Sequence, residues 1–352
     1  CIRDSGKVIL NMDGVQRPPS PQLERIFGKL AEARKPRQKP VRDQKILTNW
    51  NGMMIASIAQ AAILFDDAGY RDVAVKAGEF IWAEMHDDNG VLYRSHFEGI
   101  NDVEGELDDY AQMARAYLFV HDATGDKVWL DRTKTLIIQM RKNFQDGETG
   151  DYFATREAAG FARTKPRSDV DQPSGNGAAL DAMVRLSHRA GTPDLRLATE
   201  QTIAALSGIA AGTPTSGASI LSASDSFLHG QTGIIQFAGN GVVKARLVAG
   251  SDHKSLVIRL DVAEGWHVNS HAPLEDYLVA TKLDIAGNEL AKSVTVSYPE
   301  PETKKLAFNE KPMALLEDQV EITAHFKNAF SGPVEALLQV QTCSDEICLL
   351  PE

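Results

Sequence analysis

Two cysteines near the end of the chain are the residues best suited to chemistry by type and spacing. Cys343 and Cys348 stand in the string Thr-Cys-Ser-Asp-Glu-Ile-Cys-Leu-Leu-Pro, and the chain of 352 residues has three cysteines in all. Two nearby thiols can form one disulfide and exchange it, because a thiolate attacks a disulfide sulfur. The pair therefore indicates redox chemistry, whereas Cys1 is too far away in sequence to assign to it.

The loop between the two cysteines is short and acidic. A disulfide that closes so small a loop restricts the unfolded chain by only about 2 kcal/mol, so a structural bridge would gain more between distant strands. Asp345 and Glu346 would raise the pKa of nearby thiols, which suits a pair that rests oxidised and is reduced by a stronger donor. We adopt the exchanging pair as our prediction; a structural disulfide and two ordinary buried thiols stay open.

A second group of polar residues lies in the first part of the chain, in three strings that each begin a predicted helix. Helix N-termini offer unpaired N–H groups and a positive dipole end. Two carboxylates across a cleft could do acid–base work on a glycoside, and a tryptophan provides a flat face for a sugar ring. The same residue types are ordinary caps and turn residues, so capping, ligand binding and catalysis all stay open. The candidates are Asp43, Lys45, Trp50, Asn51, Asp108, Asp109, Tyr110, Ser174 and Asn176.

The histidines form no convincing metal site. His267 and His271 are four residues apart, but they lie in a predicted strand-to-loop region without carboxylates at ligand spacing. His86, His96 and His121 match no catalytic motif that we can identify. The glycine-rich strings lack the lysine and the strand–loop–helix context of a phosphate loop. We therefore predict no metal and no cofactor.

The elements that would position these residues change type near residue 240. Before it, apolar residues follow a helical period, and glycines stand where paired helices would end. After it, the pattern alternates with period two between turn signals, as in β-strands. We predict a helical domain over 1–240, a β-sandwich over 241–352, and a bridge over 213–240. The predicted helices are 21–34, 51–68, 71–86, 106–124, 126–144, 174–190 and 193–211, and the predicted strands are 242–248, 256–262, 293–298, 320–326 and 336–341.

The connections between the predicted helices alternate in length. Those within a pair are a few residues, whereas those between pairs, 87–105 and 145–173, are long. In antiparallel helices this alternation puts the long loops at one end, which is a usual place for a site. The three polar strings are predicted to lie at that same end.

Composition excludes some classes of function. The net charge of −11 argues against a nucleic-acid or anionic-membrane surface, because both need clustered Lys and Arg. No apolar run approaches the roughly 20 residues needed to span a bilayer, and no signal peptide is visible. An apolar content of 43% is ordinary for a globular chain that buries real cores.

The helical strings resemble successive motifs of the YyaL-like family: Lys45-Ile-Leu-Thr-Asn-Trp-Asn-Gly-Met-Met-Ile-Ala, Leu107-Asp-Asp-Tyr-Ala and Pro173-Ser-Gly-Asn-Gly. The resemblance covers about residues 5–240. It implies a thioredoxin-like domain followed by an (α/α) toroid similar to N-acylglucosamine 2-epimerases and six-hairpin glycosidases. A closed toroid needs six hairpins, so we expect a partial toroid that lacks an upstream part or is covered by another chain in an oligomer.

The β-rich part resembles the N-terminal periplasmic domain of DsbD, a bacterial thiol–disulfide interchange protein. The resemblance rests on Gly265-Trp-His-Val-Asn-Ser-His-Ala-Pro, Val296-Ser-Tyr-Pro-Glu-Pro and the cysteine string, and it covers about residues 241–352. It implies an immunoglobulin-like sandwich, a periplasmic or other extracytoplasmic location, and a redox pair made of Cys343 and Cys348. It also implies a loop over the disulfide at 304–316, with Phe308 as the aromatic cap candidate.

Two classes of function follow. In the first, the cysteine pair is a reversible disulfide that relays electrons to or from a thioredoxin-like partner, and the helical domain binds a ligand or partner. If the chain is an enzyme, it is then a thiol–disulfide oxidoreductase. In the second, the toroid binds or converts a sugar or other small polar ligand, as epimerases and glycosidases do, and the β domain is accessory.

Overall fold

The computed structural model describes residues 20–158, 160–286, 293–330 and 332–352, so Cys1 lies outside the described residues. The chain divides into two compact units, residues 1–44 and 45–352. Among its described residues, 20–44, the first unit contains one helix, α1 (Pro21–Arg34), with the predicted bounds. Ser20 caps it, because its Oγ accepts a hydrogen bond from Leu23 N at 3.3 Å. No residue of α1 is buried.

The second unit begins with helical hairpins, and the three predicted pairs are present. Helix α8 was not predicted, because the Gly, Ser and Thr content of 213–240 indicated a connector. It forms because Ile220 and Ala223 bury against Leu180 and Val184 of α6. The helices are α2 (Thr48–Phe65), α3 (Ala68–Glu84), α4 (Leu107–Thr124), α5 (Val128–Phe144), α6 (Gly175–Ala190), α7 (Pro193–Gly212) and α8 (Ala218–His229).

The helices pack as part of an (α/α) toroid. Helix α4 packs between α2 and α6, and α6 packs in turn on α8, so the first helices of successive hairpins are neighbours. Helices α3, α5 and α7 pack against their hairpin partners. The α2–α4 contact is close enough to require a glycine: a Cβ on Gly52 would lie 2.8 Å from the backbone carbonyl carbon of Gln112. No helix among the described residues is long and apolar enough to cross a membrane.

The β part is a sandwich of antiparallel strands. One sheet has the order β3-β4-β5-β11-β8, another β13-β6-β10-β9, and β12 pairs with β7. A short pair, β1 with β2, lies in the helical part. The predicted strands correspond to β4, β5, β8, β11 and β12. The strands are β1 (Ile46–Leu47), β2 (Ser95–His96), β3 (Ile235–Ala238), β4 (Val243–Ala249), β5 (Ser255–Val262), β6 (Trp266–Asn269), β7 (Lys282–Ile285), β8 (Val294–Ser297), β9 (Glu302–Lys304), β10 (Met313–Leu316), β11 (Gln319–Phe326), β12 (Ala336–Gln339) and β13 (Thr342–Ser344).

The sandwich core lies between the sheets. Alternate residues of β5, including Leu256, Ile258 and Leu260, are buried in it. Val268 of β6 and Leu316 of β10 enter the same core from the four-stranded sheet. Alternation along a strand then puts the neighbours of Val268 and Leu316 on the opposite face of that sheet.

A buried ion pair joins the helical hairpins to the β part. Arg189 of α6 donates two hydrogen bonds to Asp122 of α4, at 2.7 and 2.6 Å, and its guanidinium lies 4.6 Å from the ring of Phe237 in β3. Burial alone would raise the pKa of Asp122, but the Arg189 charge outweighs it and lowers that pKa to about 2. The 1–240 and 241–352 domain limits stay a prediction.

Candidate functional site

The cysteine pair lies on an edge strand of the four-stranded sheet, and it is a disulfide. Strand β13 pairs with β6 so that Cys343 is opposite His267. His267 is a neighbour of Val268, whose side chain enters the sandwich core, so Cys343 points to the other face of the sheet. Cys343 is fully buried, whereas Cys348 is only half-buried.

A tight hairpin brings the two sulfurs together. Leu349 N donates to Thr342 O at 2.8 Å, and Ser344 N donates to Ile347 O at 2.8 Å. Ser344 Oγ accepts hydrogen bonds from the backbone N–H groups of Glu346 and Ile347, at 3.2 and 3.3 Å. The loop is therefore held by its own backbone, and its acidic side chains are exposed.

Apolar side chains cover the disulfide in a small cluster that is separate from the sandwich core. Leu278, Leu306, Met313 and Leu315 are buried with Cys343, and Cys348 packs against them. A disulfide with its own apolar cover and one half-buried cysteine can be shielded from small thiols and still reached by a partner that displaces the cover.

Two segments contribute to this cover, one that includes Leu278 and one that includes Leu306. Side-chain contacts join these two segments to each other. Asn309 Nδ2 donates to Tyr277 Oη at 2.9 Å, and Lys311 Nζ lies 2.8 Å from Glu275 Oε2. Between β9 and β10, Leu306 of the predicted loop is buried, whereas Phe308 is 40% exposed. The capping role of Phe308 stays a prediction.

Polar residues that the sequence did not assign to the disulfide lie on the same face as Cys343. Asn269 Oδ1 is 4.0 Å from Cys343 Sγ. His267 Nδ1 is 3.1 Å from Glu317 Oε2, and Glu317 also pairs with Lys304. The Lys304 ammonium holds the pKa of Glu317 below its usual range. His267 and Asn269 belong to the Gly265-Trp-His-Val-Asn string and Lys304 to the predicted loop, whereas Glu317 follows that loop directly.

The polar strings of the helical part meet at the start of α4. Asp109 Oδ1 accepts a hydrogen bond from Asn49 N at 3.0 Å, and its Oδ2 accepts one from Glu106 N at 2.9 Å. A Cβ on Gly175 would lie 2.4 Å from Asp108 Oδ1, so Asp108 lies against the start of α6. The two adjacent carboxylates thus contact the starts of two different helices.

Several of the candidate residues are buried and satisfied within the protein. The hydroxyl of Tyr110 accepts hydrogen bonds from Leu92 N at 2.9 Å and Arg156 Nη2 at 3.2 Å. Asn176 donates to Tyr152 O and Pro166 O, and it accepts from Tyr152 N. Tyr110, Asn176 and Asp109 are fully buried, so the structure gives them positioning roles rather than a surface for a ligand.

Other candidates act as caps or are exposed. Ser174 caps α6, because its Oγ accepts a hydrogen bond from Gly177 N at 3.1 Å. Asn51 donates to Leu47 O at 2.8 Å. Trp50 is 61% exposed. Lys45 is exposed at the start of the second unit, and Asp43 is exposed in the first unit.

The two carboxyl groups of this end differ in their environments. Burial raises the pKa of Asp109 to about 7, against the opposing effect of its N–H donors and of Arg94. Burial also raises the pKa of the half-buried Asp108, again opposed by Arg94. Arg94 lies 2.7 Å from Glu106 and 3.4 Å from Asp109, and no spacing in the sequence marked it. Among the described residues, no group of three or more His, Cys, Asp or Glu could hold a metal ion.

Comparisons with known proteins agree with both resemblances. Residues 241–352 match the family model of the thiol:disulfide interchange protein DsbD, N-terminal. Human Spermatogenesis-associated protein 20 is 29% identical over 197 residues, which is 53% of this chain and 25% of that protein. The chain therefore spans about a quarter of the length of this curated relative.

Two solved structures are also similar. The reduced DsbD N-terminal domain of Neisseria meningitidis is 14% identical, with a TM-score of 0.25, over 32% of this chain and 79% of that one. The cellobiose 2-epimerase of Spirochaeta thermophila is 16% identical, with a TM-score of 0.41, over 60% of this chain and 66% of that one. The chain thus carries a region, 241–352, that matches the DsbD N-terminal family, behind a helical part similar to Spermatogenesis-associated protein 20.

Proposed function

We propose that the chain exchanges the Cys343–Cys348 disulfide with the dithiol of a thioredoxin-like protein. The observation that carries this proposal is the placement of the bond: it joins a half-buried cysteine, Cys348, to a fully buried one, Cys343, on the outer face of a sandwich sheet. The match of 241–352 to a thiol:disulfide interchange family supports it.

The unequal burial of the two cysteines assigns their roles. A partner thiolate attacks Cys348 Sγ, a sulfur–sulfur bond forms between the two proteins, and the Cys343–Cys348 bond breaks. Its electron pair goes to Cys343 Sγ, which then takes a proton. The second thiol of the partner breaks the mixed disulfide, so the partner is oxidised to a disulfide and this chain is reduced to a dithiol. The reverse sequence passes the electrons on.

As a structural bridge, this disulfide would add little to the free energy of unfolding. The loop-entropy relation assigns a loop of this size about 2 kcal/mol. Both cysteines lie outside the sandwich core, in the small cluster under Leu278 and Leu306. Exchange explains the pair better than reinforcement does.

The rest of the proposal concerns compartment and the helical domain. A disulfide that cycles with a partner and rests oxidised suits an extracytoplasmic compartment, the periplasm in a bacterium. The helical domain acts as a module that binds a ligand or a partner. Its end with long loops presents Trp50 and Asp108 beside the starts of α2 and α6.

The redox proposal is tested by trapping. A thioredoxin-like domain whose resolving cysteine is changed to serine, with its remaining thiol activated as a mixed disulfide, should couple rapidly to Cys343→Ser in a Cys1→Ser background, where the half-buried Cys348 is the one thiol. It should couple much more slowly to Cys348→Ser in the same background. Cys1→Ser is the matched control and should leave reduction of the disulfide unchanged. If wild-type protein stays as dithiol in an oxidising glutathione buffer, or if no thioredoxin-like donor reduces its disulfide, the proposal is wrong.

A second candidate function is carbohydrate binding or conversion at the helical end. It is favoured by one observation: the exposed Trp50 ring and the half-buried carboxyl of Asp108, whose pKa is raised by burial, lie at the same end of the hairpins. A glycan array with wild type, Trp50→Ala and Asp108→Asn tests it. Sugar binding by the wild type that is lost in both variants supports this function. If no sugar on the array binds the wild type, this candidate function is rejected.

A further inference from the structure

Asn269 is the polar side chain placed against the buried sulfur of the disulfide. It lies at the end of β6, it is fully buried, and its Oδ1 is 4.0 Å from Cys343 Sγ. Residue 315 of β10 is its partner across the sheet, so the amide points to the face that carries Leu315 and the disulfide. In the oxidised protein Cys343 has no hydrogen to donate, so Oδ1 faces a sulfur that cannot bond to it.

The orientation of this amide is determined by its other bonds. Asn269 Nδ2 donates to Val279 O at 3.0 Å and to Gln341 Oε1 at 2.9 Å. Gln341 is held in turn, since its Nε2 donates to Leu349 O at 3.1 Å and its Oε1 accepts from Val279 N at 2.9 Å. With both Nδ2 hydrogens used, a flipped amide would put an oxygen against two acceptors. Oδ1 is therefore fixed toward the sulfur.

We propose that Asn269 is a positioning residue whose Oδ1 accepts a hydrogen bond from the Cys343 thiol in the reduced protein. This inference rests on the exchange function proposed above and names what holds the buried half of the dithiol. An acceptor oxygen stabilises the neutral thiol and disfavours the thiolate. Cys343 then keeps its proton, so Cys348 is the sulfur that reacts with the partner, and the dithiol gains stability relative to the disulfide.

In the exchange step, the hydrogen bond to Asn269 Oδ1 stabilises the leaving sulfur, Cys343 Sγ, in its protonated form. A partner dithiol supplies two electrons and two protons. As Cys348 Sγ bonds to the partner, the electron pair of the broken disulfide moves to Cys343 Sγ, which takes one proton and donates it in a hydrogen bond to Oδ1. The second partner thiolate then displaces Cys348, which takes the other proton.

Few charged groups face Cys343 from the surrounding elements. His267, its cross-strand neighbour on β6, lies beside Glu317, and Glu317 is paired with Lys304. Asp345 and Glu346 in the hairpin are exposed. The cover contributes the apolar cluster and the pair of half-buried Glu275 with exposed Lys311.

The test compares two substitutions of Asn269 with a matched control on the same strand. Asn269→Leu keeps the size and removes the acceptor, whereas Asn269→Asp supplies a stronger, charged acceptor when it is ionised. Val268→Ala truncates a core residue on the opposite face of β6 and leaves the acceptor in place. Each is made in a background of Cys1→Ser and Cys348→Ser, so that Cys343 is the single thiol. The pH at which it ionises is followed by the Cβ resonance of ¹³C-labelled cysteine.

We expect Asn269→Leu to lower that pH, Asn269→Asp to raise it, and Val268→Ala to leave it unchanged. In the chain with all cysteines, Asn269→Leu should lower the equilibrium constant for reduction about threefold, because a weak thiol donor lies at the low end of the hydrogen-bond range. That change corresponds to about 14 mV at 29.6 mV per tenfold. Melting curves of the oxidised proteins show whether each variant is folded.

The two proposals can fail separately. The single-thiol titration needs no partner, so it judges Asn269 even if no thioredoxin-like donor reduces the wild-type protein. The inference is overturned if Asn269→Leu shifts neither the ionisation nor the reduction equilibrium. It is also overturned if Val268→Ala shifts both by the same amount as Asn269→Leu, because the effect would then be loss of packing.

Discussion

Truncating Leu306 to alanine should speed thiol exchange at the disulfide, because this side chain is part of the cover over Cys343. Leu306 is 2% exposed and lies in the cluster that contains Cys343 and Cys348. A partner that attacks the disulfide must displace this cover, so the free energy of opening enters the rate. Leu306→Ala lowers that free energy, since fewer apolar atoms are exposed when the cover opens.

The size of the effect follows from burial. Replacing a buried leucine by alanine costs about 2–5 kcal/mol in well-packed cores. The cover is a small satellite cluster, so the lower value of about 2 kcal/mol applies. At 1.4 kcal/mol per factor of ten, the rate should rise by up to about 30-fold if opening precedes exchange. Phe308→Ala should accelerate exchange less, because Phe308 is already 40% exposed.

The assay is stopped-flow reduction of the oxidised protein by a thioredoxin-like dithiol, repeated with dithiothreitol. Leu260→Ala is the matched control, since Leu260 is fully buried in the sandwich core, away from the disulfide cluster. The reasoning is refuted if folded Leu306→Ala is reduced at the wild-type rate. It is refuted equally if Leu260→Ala gives the same acceleration, because reduction would then follow opening of the whole sandwich. If Phe308→Ala accelerates exchange more than Leu306→Ala does, then Phe308, the candidate that the family resemblance implied, is the capping residue.

Three further predictions concern the helical part. Asp109→Asn should cost about 1–3 kcal/mol in urea unfolding, because one of two buried N–H donors loses its acceptor. Burial raises the folded pKa of Asp109 to about 7, so wild-type stability should fall as pH rises from about 4 to about 7, and the variant should lose that slope in a pH series of melts. Arg189→Met should cost about 3–5 kcal/mol, because Asp122 is left as an unpaired buried charge, and Asp122→Asn in the same chain should recover part of the loss. Gly52→Ala should cost about 1–3 kcal/mol by calorimetry, because the new Cβ would lie 2.8 Å from the backbone of Gln112; unchanged melting would show that α2 and α4 can separate freely.

Elements with a clear period could be predicted from the sequence, and short ones could not. The paired helices and strands such as β5 and β11 carry long apolar patterns, and their positions hold to within a few residues. Strands β6 and β13 have four and three residues, too few to show a period. Helix α8 has a composition typical of connectors, and it is helical because its apolar face packs on α6.

The site could be predicted in part for a related reason. Cysteines are rare in this chain, so their spacing alone pointed to the disulfide. Asn269 and Arg94 are common residue types whose roles come from pairing between distant segments. Asn269 acts through its contacts with Cys343 and Gln341, more than 70 residues away in the chain. Nothing local distinguishes such a residue from an ordinary strand-end asparagine.

The face of the sheet on which the disulfide lies favours an exchange site over a staple. A bond between the two sheets would tie the sandwich core, and its reduction would loosen strands such as β5 and β11. The observed bond instead closes a hairpin on the outer face, where Thr342 and Leu349 are already joined by the backbone. Both redox states can therefore keep the same sandwich, and we propose that Asn269 and the cover set the free-energy difference between them locally. A protein that is oxidised and reduced repeatedly without unfolding needs a reactive disulfide that lies outside its hydrophobic core.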